Sequence, residues 1–156
     1  MAIEIERKYL IKYIPLNQVK YSDKIKQGYI VNDNQKVIRV RKKGDNYFLT
    51  IKGNTIGISR SEFEYSIPKK DAEYLFKQFC SSGIIKKTRH YVQNKNHLWE
   101  IDEFHGLNNG LLIAEIELST KSEKFKVPSW IGDEISDKSE YLNFSLAVNP
   151  YSLWNQ

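Results

Sequence analysis

The sequence has a single cysteine, Cys80, which leaves it without an internal disulfide and fits a reducing compartment. No apolar run approaches about 18 residues, and charge appears within the first few positions. Neither a membrane span nor a signal peptide is therefore expected, and the chain reads as soluble and cytoplasmic. It also lacks a Gly-x-x-x-x-Gly-Lys phosphate loop and a Gly-x-Ser-x-Gly elbow, which removes two common routes to phosphate and acyl chemistry. His90, His97 and His105 are scattered without metal-ligand spacing, and Trp99, Trp130 and Trp154 read as core or cover. Low-complexity tracts and linkers are absent, so residues 1–156 read as one domain. The formal net charge of +5 favours anionic partners without choosing between nucleic acid and phosphate metabolites.

What the sequence does have is alternation. In Ala2 to Ile11, Ile3, Ile5 and Tyr9 interleave with Glu4, Glu6 and Lys8, giving a strand with one apolar and one charged face. Further strands are predicted over Lys24–Val31, Lys36–Lys42, Tyr47–Lys52, Arg60–Ile67, Ile84–Val92, His97–Phe104 and Leu111–Ser119. Asn32-Asp33-Asn34 and Lys43-Gly44-Asp45-Asn46 supply tight turns. Pro68 precedes a helix from Lys69 to about Ser81, whose stripe of Ala72, Leu75, Phe76 and Phe79 packs outside the sheet, with Gly83 as its stop. A short helix over Lys121–Lys126 and an amphipathic one over Asp137–Val148 complete the reading. Eight short strands with mostly tight connections favour a closed antiparallel barrel, mainly β within an α+β fold, over a parallel α/β sheet.

The charged faces collect Glu4, Glu6, Lys8, Arg39, Arg41, Lys52, Glu62, Glu64, Lys87, Arg89, Glu100, Asp102, Glu115 and Glu117. Any one Glu-x-Glu-x-Lys strand is most often a solvated sheet face with cross-strand ion pairs. Repetition argues otherwise, because the pairs keep one i, i+2 spacing and segregate by sign from strand to strand. The strand holding Lys87 and Arg89 stays ambiguous, since Lys86 and His90 charge its other face. If these faces line a barrel interior, unpartnered burial costs several kcal/mol per ion, so something must fill the space. Paired acids point to divalent cations held by oxygen, and the bases point to a substrate rich in phosphate oxygens. A polyphosphate bridged by metal satisfies both signs.

Glu4-Ile5-Glu6-Arg7-Lys8 resembles the Glu-x-Glu-x-Lys signature of the CYTH superfamily, the triphosphate tunnel metalloenzymes. Gln27-Gly28-Tyr29, Ile38-Arg39-Val40-Arg41, Leu49-Thr50-Ile51-Lys52, Glu62-Phe63-Glu64, Lys87-Thr88-Arg89, Trp99-Glu100-Ile101-Asp102 and Ala114-Glu115-Ile116-Glu117-Leu118 follow in that family's order. The resemblance implies a closed eight-stranded tunnel and metal-dependent hydrolysis of a triphosphate, inorganic tripolyphosphate first among candidates for a chain this short. It assigns Glu4, Glu6, Glu62, Glu64, Asp102, Glu115 and Glu117 to one or two divalent ions, Mg²⁺ or Mn²⁺. By the same resemblance Lys8, Tyr29, Arg39, Arg41, Lys52, Lys87 and Arg89 are expected to grip the substrate, and Lys8, Glu62, Glu64, Glu115 and Glu117 to carry the chemistry. Lys138 corresponds to a late basic residue of the family, although Glu134-Ile135-Ser136 holds serine where the pattern has threonine. The final helix is expected to cover one mouth.

Other readings are a class IV adenylyl cyclase, a thiamine or nucleoside triphosphatase, and a silent polyphosphate- or nucleic-acid-binding module. The interleaved carboxylates oppose nucleic acid. No membrane partner is expected, and outward apolar residues fit a monomer or a homodimer.

Overall fold

The computed structural model describes residues 2–33 and 35–154. Asn34 of the first turn therefore lies outside the described residues. Among the described residues nine strands form: β1 (Ile3–Ile11), β2 (Val19–Asn32), β3 (Lys36–Lys43), β4 (Asn46–Gly53), β5 (Ser59–Ser66), β6 (Ile85–Asn94), β7 (His97–Phe104), β8 (Leu112–Glu117) and β9 (Ile131–Glu134). Two α-helices join them, α1 (Lys69–Phe79) and α2 (Asn143–Val148). The first eight strands pair antiparallel in the order β5-β4-β3-β2-β6-β7-β8-β1, and β1 returns to β5 through Ile3 opposite Ser61 and Ile5 opposite Ser59. The barrel is closed. Beyond that seam β9 takes over the same edge of β1, with Tyr9 opposite Glu134.

Alternation then sorts the side chains. The faces of β6, β7, β8 and β1 that point outward bury Val92, Trp99, Ile101, Ala114 and Ile116 under Trp130, Ile131 and Phe125. On the opposite side α1 lays Ala72, Leu75 and Phe76 against Val40, Leu49 and Tyr47, outside the barrel as its apolar stripe requires. A third cluster lies at one end of the interior, where Tyr29, Val37, Ile85, Phe104 and Ile113 meet Leu146 and Phe144 of α2. That end is capped.

Four expectations need correction. β2 starts five residues early, at Val19, because pairing with β6 rather than apolar alternation extends it. β9 was not expected; Gly132 allows it, since a Cβ there would lie 2.9 Å from the Leu10 carbonyl oxygen. Residues 121–126 form no helix: Phe125 packs edge-on against Trp99 at 5.8 Å, holding the segment along the sheet. The helix expected over Asp137–Val148 is cut by Leu142, whose ψ of 140° is extended, leaving a 3-10 turn at Ser139–Tyr141 before α2.

Candidate active site

The inward faces enclose a cavity of about 190 Å³ walled by Glu4, Glu6, Lys8, Arg39, Arg41, Lys43, Lys52, Arg60, Glu62, Glu64, Lys87, Arg89, Glu100, Glu115 and Glu117, with Tyr29 and Val37 and with Leu142, Asn143 and Phe144 of the cap. Register puts these groups together. Lys8 lies opposite Glu115 and Glu6 opposite Glu117 across β1 and β8, while Lys52 lies opposite Glu62 and Thr50 opposite Glu64 across β4 and β5.

Toward the cap the wall is basic and rigid. Asp102 is fully buried; Arg89 donates to both of its oxygens at 2.7 and 2.8 Å, and Lys87 Nζ donates to Oδ2 at 2.6 Å. Burial pushes the Asp102 carboxyl up, but Arg89 and Lys87 outweigh it and hold the group below its ordinary range. Lys87, 2% exposed, also donates to Asn143 Oδ1 at 2.8 Å. Burial lowers its pKa to about 7, against the pull of Asp102 and with the help of Arg89 and Arg41. Gln27 joins this layer, donating to Tyr29 Oη at 2.7 Å and to Asn143 and accepting from Arg41 Nε at 3.0 Å. Burial, then Arg39 and Arg89, bring Arg41 down to about 10.

Toward the open mouth the wall turns acidic. Lys8 sits 3.4 Å from Glu6 and 3.5 Å from Glu115, and Glu115 also approaches Arg89 at 3.5 Å. Burial would raise the Glu115 pKa, yet Lys8, Arg89 and Lys87 hold it well below the carboxylate range. Glu6 goes the other way, raised by burial and by Glu115. Glu117 is likewise raised, by burial and then by Glu4, Glu100, Glu6 and Glu62. Glu4 is shared between Lys52 at 3.0 Å and Arg60 at 3.4 Å, while Arg89 also pairs with Glu100.

This acidic side fits a divalent cation. Glu62 Oε2 is buried and lies 3.1 Å from Lys52 Nζ without a partner in hydrogen-bonding geometry. Glu117 has no ion-pair partner among the described residues. Crowded carboxylates with spare oxygens are hard donors of the kind Mg²⁺ and Mn²⁺ select. As the side chains stand, no three acids among the described residues converge tightly enough to close around an ion, because lysine and arginine hold several of them apart.

The CYTH domain model matches residues 2–147. The chain belongs to the CYTH domain family. An inorganic triphosphatase of Acetivibrio thermocellus is 42% identical over 151 residues, 97% of each chain. One from Nitrosomonas europaea is 30% identical over 150 residues, 94% of this chain and 97% of its own. The crystal structure of the inorganic triphosphatase NE1496 superposes with a TM-score of 0.68 at 29% identity, covering 95% of this chain and 96% of that one.

Within this CYTH barrel nearly all of the residues picked from sequence face one cavity. Two do not. Lys138 is exposed on the stretch before α2 and lines no part of the cavity; Ser136, two residues earlier, turns its hydroxyl to the Lys8 backbone N–H at 2.9 Å. Asp102, grouped with the metal ligands, is instead spent on Arg89 and Lys87 beneath the wall. Sequence reasoning passed over Arg60, Lys43, Gln27 and Asn143. Arg60 and Lys43 were legible, being two residues from Glu62 and Arg41 on the same faces. Asn143 carried no signal, since α2 reaches the barrel only through the chain's tertiary path.

Proposed function

We propose that this CYTH chain hydrolyses inorganic tripolyphosphate to pyrophosphate and phosphate inside its capped barrel, with Mg²⁺ or Mn²⁺ as cofactor. The observation that carries the reading is a cavity walled by arginines, lysines and carboxylates together, basic next to the cap and richest in acids away from it. The 42% identical relative named an inorganic triphosphatase supports it. A triphosphate laid against Arg39, Arg41, Lys52, Lys87 and Arg89 finds fixed donors for its non-bridging oxygens, preorganised by Asp102, Gln27 and Asn143. Glu4, Glu6, Glu62, Glu64, Glu115 and Glu117 would hold one or two divalent ions, which supply neutralisation of phosphate charge and acidification of water. In the chemical step a water oxygen bonds to a terminal phosphorus as the bridging P–O bond breaks. The water proton goes to one of these carboxylates, Glu62 and Glu117 among them, Glu117 making no ion pair among the described residues and having its pKa raised by burial and by Glu4. The charge left on pyrophosphate is met by the basic wall. A single cysteine fits action in the cytoplasm.

Phosphate release from tripolyphosphate, ATP and thiamine triphosphate, assayed with Mg²⁺, Mn²⁺ and chelator, tests the reading. Fast, metal-dependent release from tripolyphosphate is expected, and Glu62→Gln should lower it about 100-fold or more. Binding of tripolyphosphate without any release would overturn the hydrolytic assignment.

A further inference from the structure

Near the start of β2 and the end of β6, away from α2, sits an aromatic pair that borders the cavity without lining it. Tyr21 stacks on Tyr91 with centroids 4.3 Å apart and planes 17° from parallel. Tyr91 is 3% exposed and Tyr21 53% exposed, so the lower ring is fixed and the upper one offers a free face to solvent. Neither ring belongs to any of the three apolar clusters, although Tyr91 is itself buried. Register ties it to the cavity: Tyr91 lies opposite Glu100, which lines the wall, and Lys43, another lining residue, places Nζ 5.4 Å from the Tyr91 ring. The register of β2 shifts between Val19 and Tyr21, so the strand is irregular at the point where it presents this ring.

We propose that Tyr21 on Tyr91 forms a stacking platform for the nucleobase of a nucleoside triphosphate whose phosphates occupy the tunnel. The inference rests on the reading of the tunnel as a triphosphate site and adds a second class of ligand to it. Any base has a π-face, so a rigid aromatic platform takes it with little sequence preference. Lys43, beside the stack, favours a neutral base over the cationic thiazolium of thiamine triphosphate and is placed to meet a phosphate leading out of the tunnel.

The test measures two things on the full-length protein: calorimetric Kd for the β,γ-imido analogue of ATP, and KM for tripolyphosphate. Tyr21→Ala is expected to raise the analogue's Kd about 5- to 50-fold while moving the tripolyphosphate KM less than about 2-fold. Tyr21→Trp should keep or improve analogue binding. An unchanged Kd in Tyr21→Ala, or equal losses for both ligands, would overturn the platform. Thiamine triphosphate competing through Tyr21 when the adenosine analogue does not would overturn the nucleobase assignment. A wild-type protein that neither binds nor cleaves tripolyphosphate would overturn the tunnel reading, and the platform with it.

Discussion

Lys87 concentrates the physics of this site in one residue. Its ammonium is buried, its contacts to Asp102 and Asn143 are short, and its pKa falls to about 7. The unfolded chain keeps a lysine proton to about pH 10.4. Between about pH 7 and 10 the unfolded state therefore binds more protons, and the Lys87 contribution makes stability rise with pH across that window. Below it the buried charge is carried at a cost. A triphosphate in the cavity reverses the balance by adding negative charge. At pH 8 its binding should draw roughly one proton into the complex, read as the slope of calorimetric enthalpy against buffer ionisation enthalpy. Lys87→Met should lose that slope, and a flat line for the wild type would contradict the assignment. Arg39 is simpler. It lies opposite Thr50, donates to Thr50 Oγ1 at 3.2 Å and leaves its Nε without a partner, so its guanidinium is half engaged. Arg39→Ala should raise the tripolyphosphate KM about 10-fold or more, and unchanged kinetics would place it outside the substrate's reach.

Elements show where sequence ran out. The inward sets Glu4-Glu6-Lys8 and Arg39-Arg41 were legible because a strand's period of two is written directly into residue order. A closed barrel was expected, but which strands meet at its seam was not: Ile3 to Ile5 meet Ser59 to Ser61 through backbone, and nothing in serine or isoleucine specifies that partner. The same holds for β9, a four-residue strand admitted by the missing side chain of Gly132. Helix α2 is the other case, an amphipathic pattern read as a helix, with the family resemblance making it a cover, but drawn too long at its start, because Asn143 turns inward to Lys87 and Gln27. Its seat is tight. A Cβ at Gly83 would fall 2.5 Å from the Ala147 carbonyl oxygen. Gly83→Ala should destabilise the protein by about 1–3 kcal/mol, with amide exchange accelerated in residues 143–148 and α1 unaffected. Protection unchanged in α2 would show that the cap is not held there.

For the whole molecule, like charges confined in one barrel mean that the protein without its ligand stores repulsion which a bound anion and cation relieve. Tripolyphosphate with Mg²⁺ at about 100 times Kd should add about 2.7 kcal/mol of stability, or a rise in Tm of about 5–10 °C for a chain of this size. Chelator should abolish most of that shift. If tripolyphosphate alone gives the full shift, the acidic side of the wall does not hold metal. The cap at one end has a further effect. With Phe144 and Leu146 seated on Ile85, Phe104 and Ile113, a fragment lying against the cap meets packed side chains there and not an exit. It departs the way it came, so the piece behind it must move first.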